Sequence, residues 1–241
     1  DGCWACRGWS IQEAYNQAVK INPDYAAAHL GLGVAYGRSG MNKESIEALK
    51  QAIRIKPDYS LAYYNLGLSY SKSGMYKEAI EAYKQAIRIN PDDEVGYVGL
   101  GLDYEQLGMY NEAIEAYKQA IRINPDDAYA HYFLGIAYDV SGKGKHGEAF
   151  ESYKQAIRIK PDYAEAHYRL GISYSISMDK EAIEAFKQAI RIKPDYADAH
   201  LGLGVAYLLL LSDRGSALEE YKILKDIDTE KANKLFNEIY K

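Results

Sequence analysis

The sequence predicts an all-α protein built as a solenoid of stacked helical hairpins. Three observations support this prediction: the spacing of the prolines, a short sequence motif that precedes each proline, and a second motif that follows it. The six prolines form one series with intervals of 33 to 36 residues: Pro23, Pro57, Pro91, Pro125, Pro161 and Pro194. Each proline follows a Gln-Ala-Ile/Val motif and precedes a Leu-Gly-x-x-Tyr motif. A period of this length is typical of repeat proteins, whose units bury a continuous core only by stacking.

The first half of each unit has the pattern of an amphipathic helix. In the second full unit, the spacing i, i+3, i+4, i+7 is taken by Tyr63, Leu66, Gly67 and Tyr70. This spacing places all four side chains on one face of an α-helix. Gly74 follows, and glycine readily adopts the left-handed conformation that ends a helix. We therefore expect the first helix to end just before Gly74.

The second half of the unit repeats the helical spacing and then stops at the proline. One helical face carries Ala79, Tyr83, Ala86 and Ile87. Pro91 lacks an N–H group and forces the residue before it out of the helical region, so the second helix must end there. Asp92 comes next, and we expect its side chain to cap the following helix. The small side chains of Gly67, Ala79 and Ala86 allow the two helices to approach closely, with tyrosines filling the remaining volume.

The same positions carry the same kinds of residue in every unit. Numbered so that the proline is position 32, the full repeats span 26–59, 60–93, 94–127, 128–163, 164–196 and 197–228. Position 8 is always Gly, position 11 is always Tyr, and position 24 is large: Leu49, Tyr83, Tyr117, Tyr153, Phe186 and Tyr221. This pattern resembles the tetratricopeptide repeat family, and most closely its consensus-rich bacterial arrays. The resemblance implies a right-handed α-solenoid that binds proteins and carries out no catalysis.

Both ends of the array depart from the full repeat. Residues 1–10 form an N-terminal segment, and residues 11–25 are a half repeat that supplies a second helix without its first. The apolar face around Tyr15 then lacks a partner, so the chain is expected to be cut from a longer array or to be covered there by another molecule. At the other end, residues 229–241 are predicted to form a capping helix with an apolar stripe at Ala232, Leu235, Phe236 and Ile239.

Two repeats contain irregular turns. The fourth repeat has two extra residues, and its turn between residues 141 and 150 carries Lys143, Lys145 and His146. Insertions in repeat arrays map to turns, so we interpret this segment as loop variation. The fifth repeat lacks its turn glycine, and we expect Asp179 to cap its second helix instead.

In the tetratricopeptide family, the first helices line a concave groove that binds partners. The resemblance therefore implies a protein-binding groove made of Leu30, Val34, Tyr64, Asn65, Leu68, Val98, Leu102, Tyr129, Tyr132, Phe133, Ile136, Tyr168, Arg169, Ile172, Leu201, Val205 and Leu208. Positions 5 and 9 are apolar or aromatic, unlike the Lys and Asn with which some members hold a carboxylate tail. We expect an apolar or helical segment to fill the groove. The alternative is that these side chains pack between neighbouring first helices.

The composition excludes several classes of function. The net charge is −5 with both signs interspersed, which argues against nucleic-acid binding. The longest strongly apolar run, residues 201–211, is too short to span a membrane. Four of the five histidines occupy position 4 of a repeat, where the family packs an aromatic side chain, so we expect no metal site. No motif for an enzyme nucleophile or a phosphate-binding loop is present, and we expect neither catalysis nor a cofactor.

Cys3 and Cys6 are the two cysteines of the chain, and they form a CxxC motif. Such a motif can be a redox pair, half of a zinc site, a local or intermolecular disulfide, or a remnant of processing. A disulfide would indicate an oxidising compartment, and the location is otherwise unknown.

Two other functions remain open beside a protein-binding scaffold. The first is a structural subunit that associates head to tail, because an uncapped end can stack on another copy and a rotation that does not close gives filaments. The second is the regulatory part of a larger enzyme, which would require a catalytic domain encoded beside this segment.

Overall fold

A computed structural model describes residues 11–142, 146–177 and 180–241. These residues form helices and turns and contain no β-strand. Cys3, Cys6, Lys143, Lys145 and Asp179 lie outside the described residues. The helices are α1 (Ile11–Ile21), α2 (Ala26–Arg38), α3 (Asn42–Ile55), α4 (Ser60–Lys72), α5 (Tyr76–Ile89), α6 (Glu94–Gln106), α7 (Tyr110–Ile123), α8 (Ala128–Ser141), α9 (His146–Ile159), α10 (Ala164–Ile176), α11 (Glu181–Ile192), α12 (Ala197–Leu211), α13 (Arg214–Ile227) and α14 (Thr229–Ile239).

The helices belong to two compact units. The first unit ends at Pro125 and contains α1 to α7, and the second begins at Asp126 and contains α8 to α14. Within each unit, consecutive helices pair as antiparallel hairpins: α2 with α3, α4 with α5 and α6 with α7, then α8 with α9, α10 with α11 and α12 with α13. Each second helix also packs against the first helix of the next hairpin in its unit. The predicted hairpins are therefore confirmed.

A large side chain at position 24 forms the centre of most hairpins. The ring of Tyr83 is 1% exposed and lies between two glycines of successive first helices. A Cβ atom at Gly67 or at Gly99 would lie 2.7 Å from that ring, which is too close for a side chain. Phe186 has the same environment between Gly171 and Gly202. The glycines are therefore required because the aromatic ring occupies the space that a Cβ would take.

The first hairpin has a smaller side chain than an aromatic ring at position 24. Leu49 takes the place of the ring against Gly33, and Ser45 replaces the alanine of the other repeats. The Ser45 hydroxyl is 1% exposed and donates to the carbonyl oxygen of Gly33 at 2.7 Å. It also lies 2.7 Å from the Ser69 hydroxyl of the next hairpin. The buried hydroxyl is thus paired, which removes most of the cost of burying it.

The observed helix ends match the predicted ones at Gly74 and Pro91, and the predicted N-cap of α6 is wrong. Gly74 has φ of +73°, as predicted for a residue that ends a first helix. Helix α5 ends at Ile89, two residues before Pro91. The prediction that Asp92 caps α6 is wrong, because Asp93 occupies the N-cap and accepts a hydrogen bond from the backbone N–H of Gly96. Two aspartates follow Pro91, and the cap is the one directly before the first helical residue.

Helix α14 covers the last hairpin. Ala232, Leu235 and Ile239 are buried and pack with Ala217 and Leu224 of α13. A Cβ at Gly204 would lie 2.5 Å from Leu235, so this leucine fills the place that a ring takes in other hairpins. Tyr221, the residue at position 24, is half-buried and lies against Phe236, with ring centroids 5.4 Å apart. Phe236 is 40% exposed, so it is not part of the buried stripe.

Candidate functional site

The predicted groove residues all lie on first helices. In the first unit they are Leu30 and Val34 on α2, Tyr64, Asn65 and Leu68 on α4, and Val98 and Leu102 on α6. In the second unit they are Tyr129, Tyr132, Phe133 and Ile136 on α8, Tyr168, Arg169 and Ile172 on α10, and Leu201, Val205 and Leu208 on α12. Leu30 is buried, Tyr129 is exposed, and the others are half-buried.

In the first unit, several of these side chains take part in the packing between hairpins. Leu30 and Val34 belong to one apolar cluster with Leu66 of the next first helix. Tyr64 and Leu68 pack in the same way against a cluster that contains Leu100. These contacts support the structural role for positions 5 and 9, because each side chain is shared between two successive first helices.

The N-terminal edge of the first unit carries an open pocket of about 580 Å³ between α1 and α2. Its lining includes Ile11, Tyr15, Val34 and Arg38. Tyr15 lies against Gly31 in the way that Tyr83 lies against Gly99, but no residue of α1 is fully buried. Among the described residues, α1 packs against α2.

The second unit concentrates its aromatic side chains on α8 and α10. We call this the aromatic surface and define it as Tyr129, Tyr132, Phe133, Tyr168 and Arg169. Tyr132 packs on Tyr163 at a centroid distance of 4.9 Å, and Phe133 meets Tyr132 at 5.4 Å. The Tyr129 ring is 51% exposed. The surface thus has a half-buried part that stabilises the unit and an exposed part at Tyr129 that can contact a partner.

Arg169 is the cationic group of the aromatic surface. Its guanidinium lies close to the hydroxyls of Tyr132, Tyr153 and Tyr168. The Nε atom of Arg169 is buried and has no hydrogen-bond partner among the described residues. An Arg side chain that is half-buried among aromatic rings can both stack and donate to an acceptor on a partner.

A hydrogen-bonded acid lies at the turn end of the same surface. The Tyr153 hydroxyl donates to the Oδ2 atom of Asp139 at 2.7 Å, and Oδ1 lies 3.3 Å from Nδ1 of His146. Burial raises the pKa of Tyr153 well above its usual range, and the hydrogen bond to Asp139 raises it further. The phenol therefore remains a proton donor at physiological pH.

The C-terminal end of the predicted groove is occupied by the chain itself. Leu201, Val205 and Leu208 pack against the cluster formed by α13 and α14. Helix α14 takes the position that the first helix of a following hairpin would take. Leu201, Val205 and Leu208 are nevertheless half-buried, as are Tyr132 on α8 and Tyr168 on α10.

The outer side of the first unit carries one shallow crevice per hairpin, of about 410 to 430 Å³. In the second hairpin, the crevice has Tyr63 and Leu66 among its apolar lining and Lys77 and Glu81 among its polar lining. These crevices repeat with the period of the sequence and are a second type of surface that a partner could contact.

Two acidic residues outside the predicted groove lie on α6 of the first unit, one buried and one half-buried. Asp103 is 1% exposed, and Glu105 on the same helix is half-buried. Their signal in the sequence is the pair of acids in "LGLDYEQ", which follow the apolar or small residues 98–102 of the helix.

Three of the position-4 histidines connect their helix to the preceding proline turn. The Nε2 atoms of His29, His167 and His200 lie 2.9, 3.0 and 2.9 Å from the carbonyl oxygen of the proline six residues earlier. Within the described residues, no three His, Cys, Asp or Glu side chains are arranged to hold a metal ion. In the same residues, no helix is long and apolar enough to cross a membrane.

The surroundings of His200 favour its imidazolium form. Its Nε2 faces the carbonyl of Pro194 and its Nδ1 lies 2.6 Å from a carboxylate oxygen of Glu220, so both nitrogens must donate. Burial by itself lowers the pKa of His200, but the hydrogen bonds to Glu220 and Pro194 outweigh it, and the pKa is raised. The stabilisation is then complete below about pH 6.5, the usual His value, and is lost as the pH rises through the higher folded-state pKa.

An NMR titration of the His200 ring tests this expectation. Thermal unfolding of the wild-type chain and of Glu220→Gln between pH 5.5 and 8.5 measures the effect on stability. The substitution should cost about 1–2 kcal/mol at the acidic end and less at the basic end. A His200 pKa at or below the usual value would contradict the assignment.

Sequence comparison now adds to this geometry. A family model described as TPR repeat matches residues 13–40, 39–74, 101–139, 143–175 and 179–210, and one described as Tetratricopeptide repeat matches residues 60–93. Together these matches cover most of the chain. The chain belongs to the tetratricopeptide repeat family. The resemblance inferred from the sequence is therefore confirmed, and a search of curated proteins returns no match.

Solved tetratricopeptide structures share the fold. YrrB, described as a TPR protein with an unusual peptide-binding site, is 24% identical with a TM-score of 0.64, over 78% of this chain and 96% of YrrB. A MamA structure is 30% identical with a TM-score of 0.63, over 70% of this chain and 97% of MamA. The C-terminal part of a TPR repeat-containing protein from Cytophaga hutchinsonii is 17% identical with a TM-score of 0.75, over 93% of this chain and 92% of that chain. The predicted all-α solenoid class is confirmed.

Proposed function

We infer that the chain is a non-catalytic protein-interaction scaffold, and that the aromatic surface of its second unit binds an apolar or helical segment of a partner. The observation that carries this proposal is the aromatic surface itself, in which Tyr129 is exposed and the half-buried Arg169 lies near the hydroxyls of Tyr132 and Tyr168. The tetratricopeptide family supports a protein-binding role, and the structure of YrrB is described as having a peptide-binding site.

The chemistry of the aromatic surface matches that of binding hot spots. Aromatic and Arg side chains are enriched at such positions because they bury a large area and lose little conformational entropy. Tyr132 and Tyr168 are already held by neighbouring rings, with Tyr168 and Tyr196 5.2 Å apart. The surface is therefore preorganised, which lowers the entropic cost of binding.

Peptides selected from a random displayed library on the purified chain test the proposal. The double variant Tyr129→Ala with Phe133→Ala should weaken the selected peptides by about tenfold or more, because it removes the outer rings. These two side chains are chosen because Tyr132 packs deeper in the unit, so replacing it would also destabilise the hairpin.

The matched control is Ile223→Ala, which removes an exposed apolar side chain from α13 of the same unit. It should leave peptide affinity unchanged. If the double variant keeps both its fold and its affinity, the partner binds elsewhere. NMR shift mapping of a bound peptide onto the outer crevices, such as that around Tyr63, would identify the alternative surface.

Self-assembly is the second candidate, and the open edge of α1 favours it. The pocket beside Tyr15 could receive a helix from another copy. Helix α14 opposes stacking at the other end, because it covers the last hairpin where the next copy would pack. Light scattering of the purified chain separates the two functions: a monomer at micromolar concentration supports the scaffold, and a concentration-dependent oligomer supports assembly.

A further inference from the structure

Helix α6 carries a carboxylate that is buried and forms no ion pair with a Lys or Arg of the described residues. Asp103 is 1% exposed, and its Oδ1 accepts a hydrogen bond from the Ser71 hydroxyl of α4 at 2.7 Å. Its Oδ2 is buried and has no hydrogen-bond partner among the described residues. An ionised carboxylate accepts hydrogen bonds through both oxygens, so one hydroxyl leaves it under-solvated.

Glu105 repeats this arrangement on the same helix. The Tyr117 hydroxyl of α7 faces its carboxylate, and its Oε1 is buried without a hydrogen-bond partner in the described part of the chain. The second unit contains a related pair, since Asp139 accepts from Tyr153 at the equivalent positions. Asp139 has a further contact with His146, however, and no counterpart of that contact is present at Glu105 among the described residues.

The helices packed against α6 supply hydroxyls to these two acids. The groups that face Asp103 are Ser71 from α4, Tyr83 from α5 and Tyr117 from α7, and Tyr117 also faces Glu105. Within the described residues, no lysine or arginine forms an ion pair with either carboxylate. The surroundings therefore favour the neutral form of both acids.

We propose that the hairpin of α6 and α7 is a proton-sensitive element, which is rigid when Asp103 and Glu105 are protonated and loosens when they ionise. Helix α6 also carries Val98 and Leu102 of the predicted groove. Ionisation of the two acids would therefore also lower the stability of the part of α6 that carries these two predicted groove residues. This inference rests on the packing of the first unit and is independent of the proposed binding to the second.

The direction of the effect follows from the pKa values. Burial raises the pKa of Asp103 to about 6 and that of Glu105 to about 7, and the hydrogen bond from Ser71 and the nearby Tyr117 hydroxyl offset this rise only in part. In the unfolded chain both acids titrate near pH 4. The stability that they contribute is thus complete below about pH 4 and is lost as the pH rises through the two folded-state values.

Hydrogen exchange of the full chain measures this directly. After correction for intrinsic exchange, the protection of α6 and α7 amides should fall on the order of a hundredfold between pH 5 and pH 8. The double variant Asp103→Asn with Glu105→Gln should remove most of this dependence and keep protection high at pH 8. Amides of α12 and α13, which respond to His200, are read separately in the same experiment.

Two further variants sharpen the test. Glu115→Gln neutralises an exposed acid on α7 and should leave the pH dependence unchanged. Ser71→Ala removes the hydrogen bond that favours the ionised form of Asp103, so it should make the dependence steeper. If α6 and α7 show equal protection at both pH values, or if the double variant keeps the wild-type dependence, the proposal is overturned.

Discussion

Leu235→Ala is expected to destabilise the last hairpin by about 2–5 kcal/mol. Leu235 is 0% exposed and fills the space beside Gly204 that an aromatic ring fills in other hairpins. Truncation to Ala leaves a cavity between α12 and α14, because the glycine offers no side chain to collapse into it. Chemical denaturation followed by helical circular dichroism measures the loss, and hydrogen exchange of α12 to α14 shows where it occurs.

The neighbouring residue provides the control. Phe236 is larger than Leu235 but is 40% exposed and meets Tyr221 at the surface of the cap. Phe236→Ala should therefore cost about 1 kcal/mol or less, despite removing more atoms. Equal losses for the two variants would mean that α14 does not seal the hairpin through Leu235.

Tyr153→Ala is expected to cost about 3–5 kcal/mol in the second unit. The side chain is 0% exposed, and a Cβ at Gly135 would lie 2.5 Å from its ring. Its removal creates a large cavity and leaves Asp139 without the 2.7 Å hydrogen bond from the phenol. Thermal and chemical unfolding at pH 7 measure the loss.

Two variants separate packing from hydrogen bonding at this position. Tyr153→Phe keeps the ring and removes the hydroxyl, so it should cost about 1 kcal/mol, and Phe186 shows that the fold accepts phenylalanine at position 24. Tyr221→Ala removes the same side chain at the same repeat position, but Tyr221 is half-buried, so its loss should be well below that of Tyr153→Ala. If Tyr221→Ala costs as much as Tyr153→Ala, position in the repeat would matter more than burial.

The regular parts of the fold could be predicted because their causes are local. Gly74 ends α4 with positive φ, and Pro91 ends the helix before it. These effects act within a few residues of the chain, so they can be derived from any single repeat. The wrong prediction at Asp92 also concerns a local effect. Two consecutive aspartates precede α6, and Asp93 is the N-cap because it directly precedes Glu94, the first residue of the helix.

The candidate site was harder to predict because exposure depends on neighbouring hairpins. Leu30 and Tyr129 are both predicted groove residues, yet Leu30 is 7% exposed and Tyr129 is 51% exposed. Leu201 and Val205 follow the pattern of groove positions and are packed against the α13–α14 cluster. A repeat pattern specifies which face of a helix a residue occupies, and it does not specify what lies opposite.

The sequence by itself determined the period, the hairpins and the small residues at which helices meet, because these depend on helical spacing and backbone geometry. The tertiary structure alone decided three further features. These are the ring that each glycine accommodates, the leucine that replaces Tyr221 beside Gly204, and the withdrawal of Asp103 and Glu105 from solvent with no Lys or Arg ion pair among the described residues. They depend on side chains 14 to 32 residues apart, such as Tyr153 with Asp139 and Ser71 with Asp103. Their burial and pairing are set by packing between helices, which helical spacing does not encode.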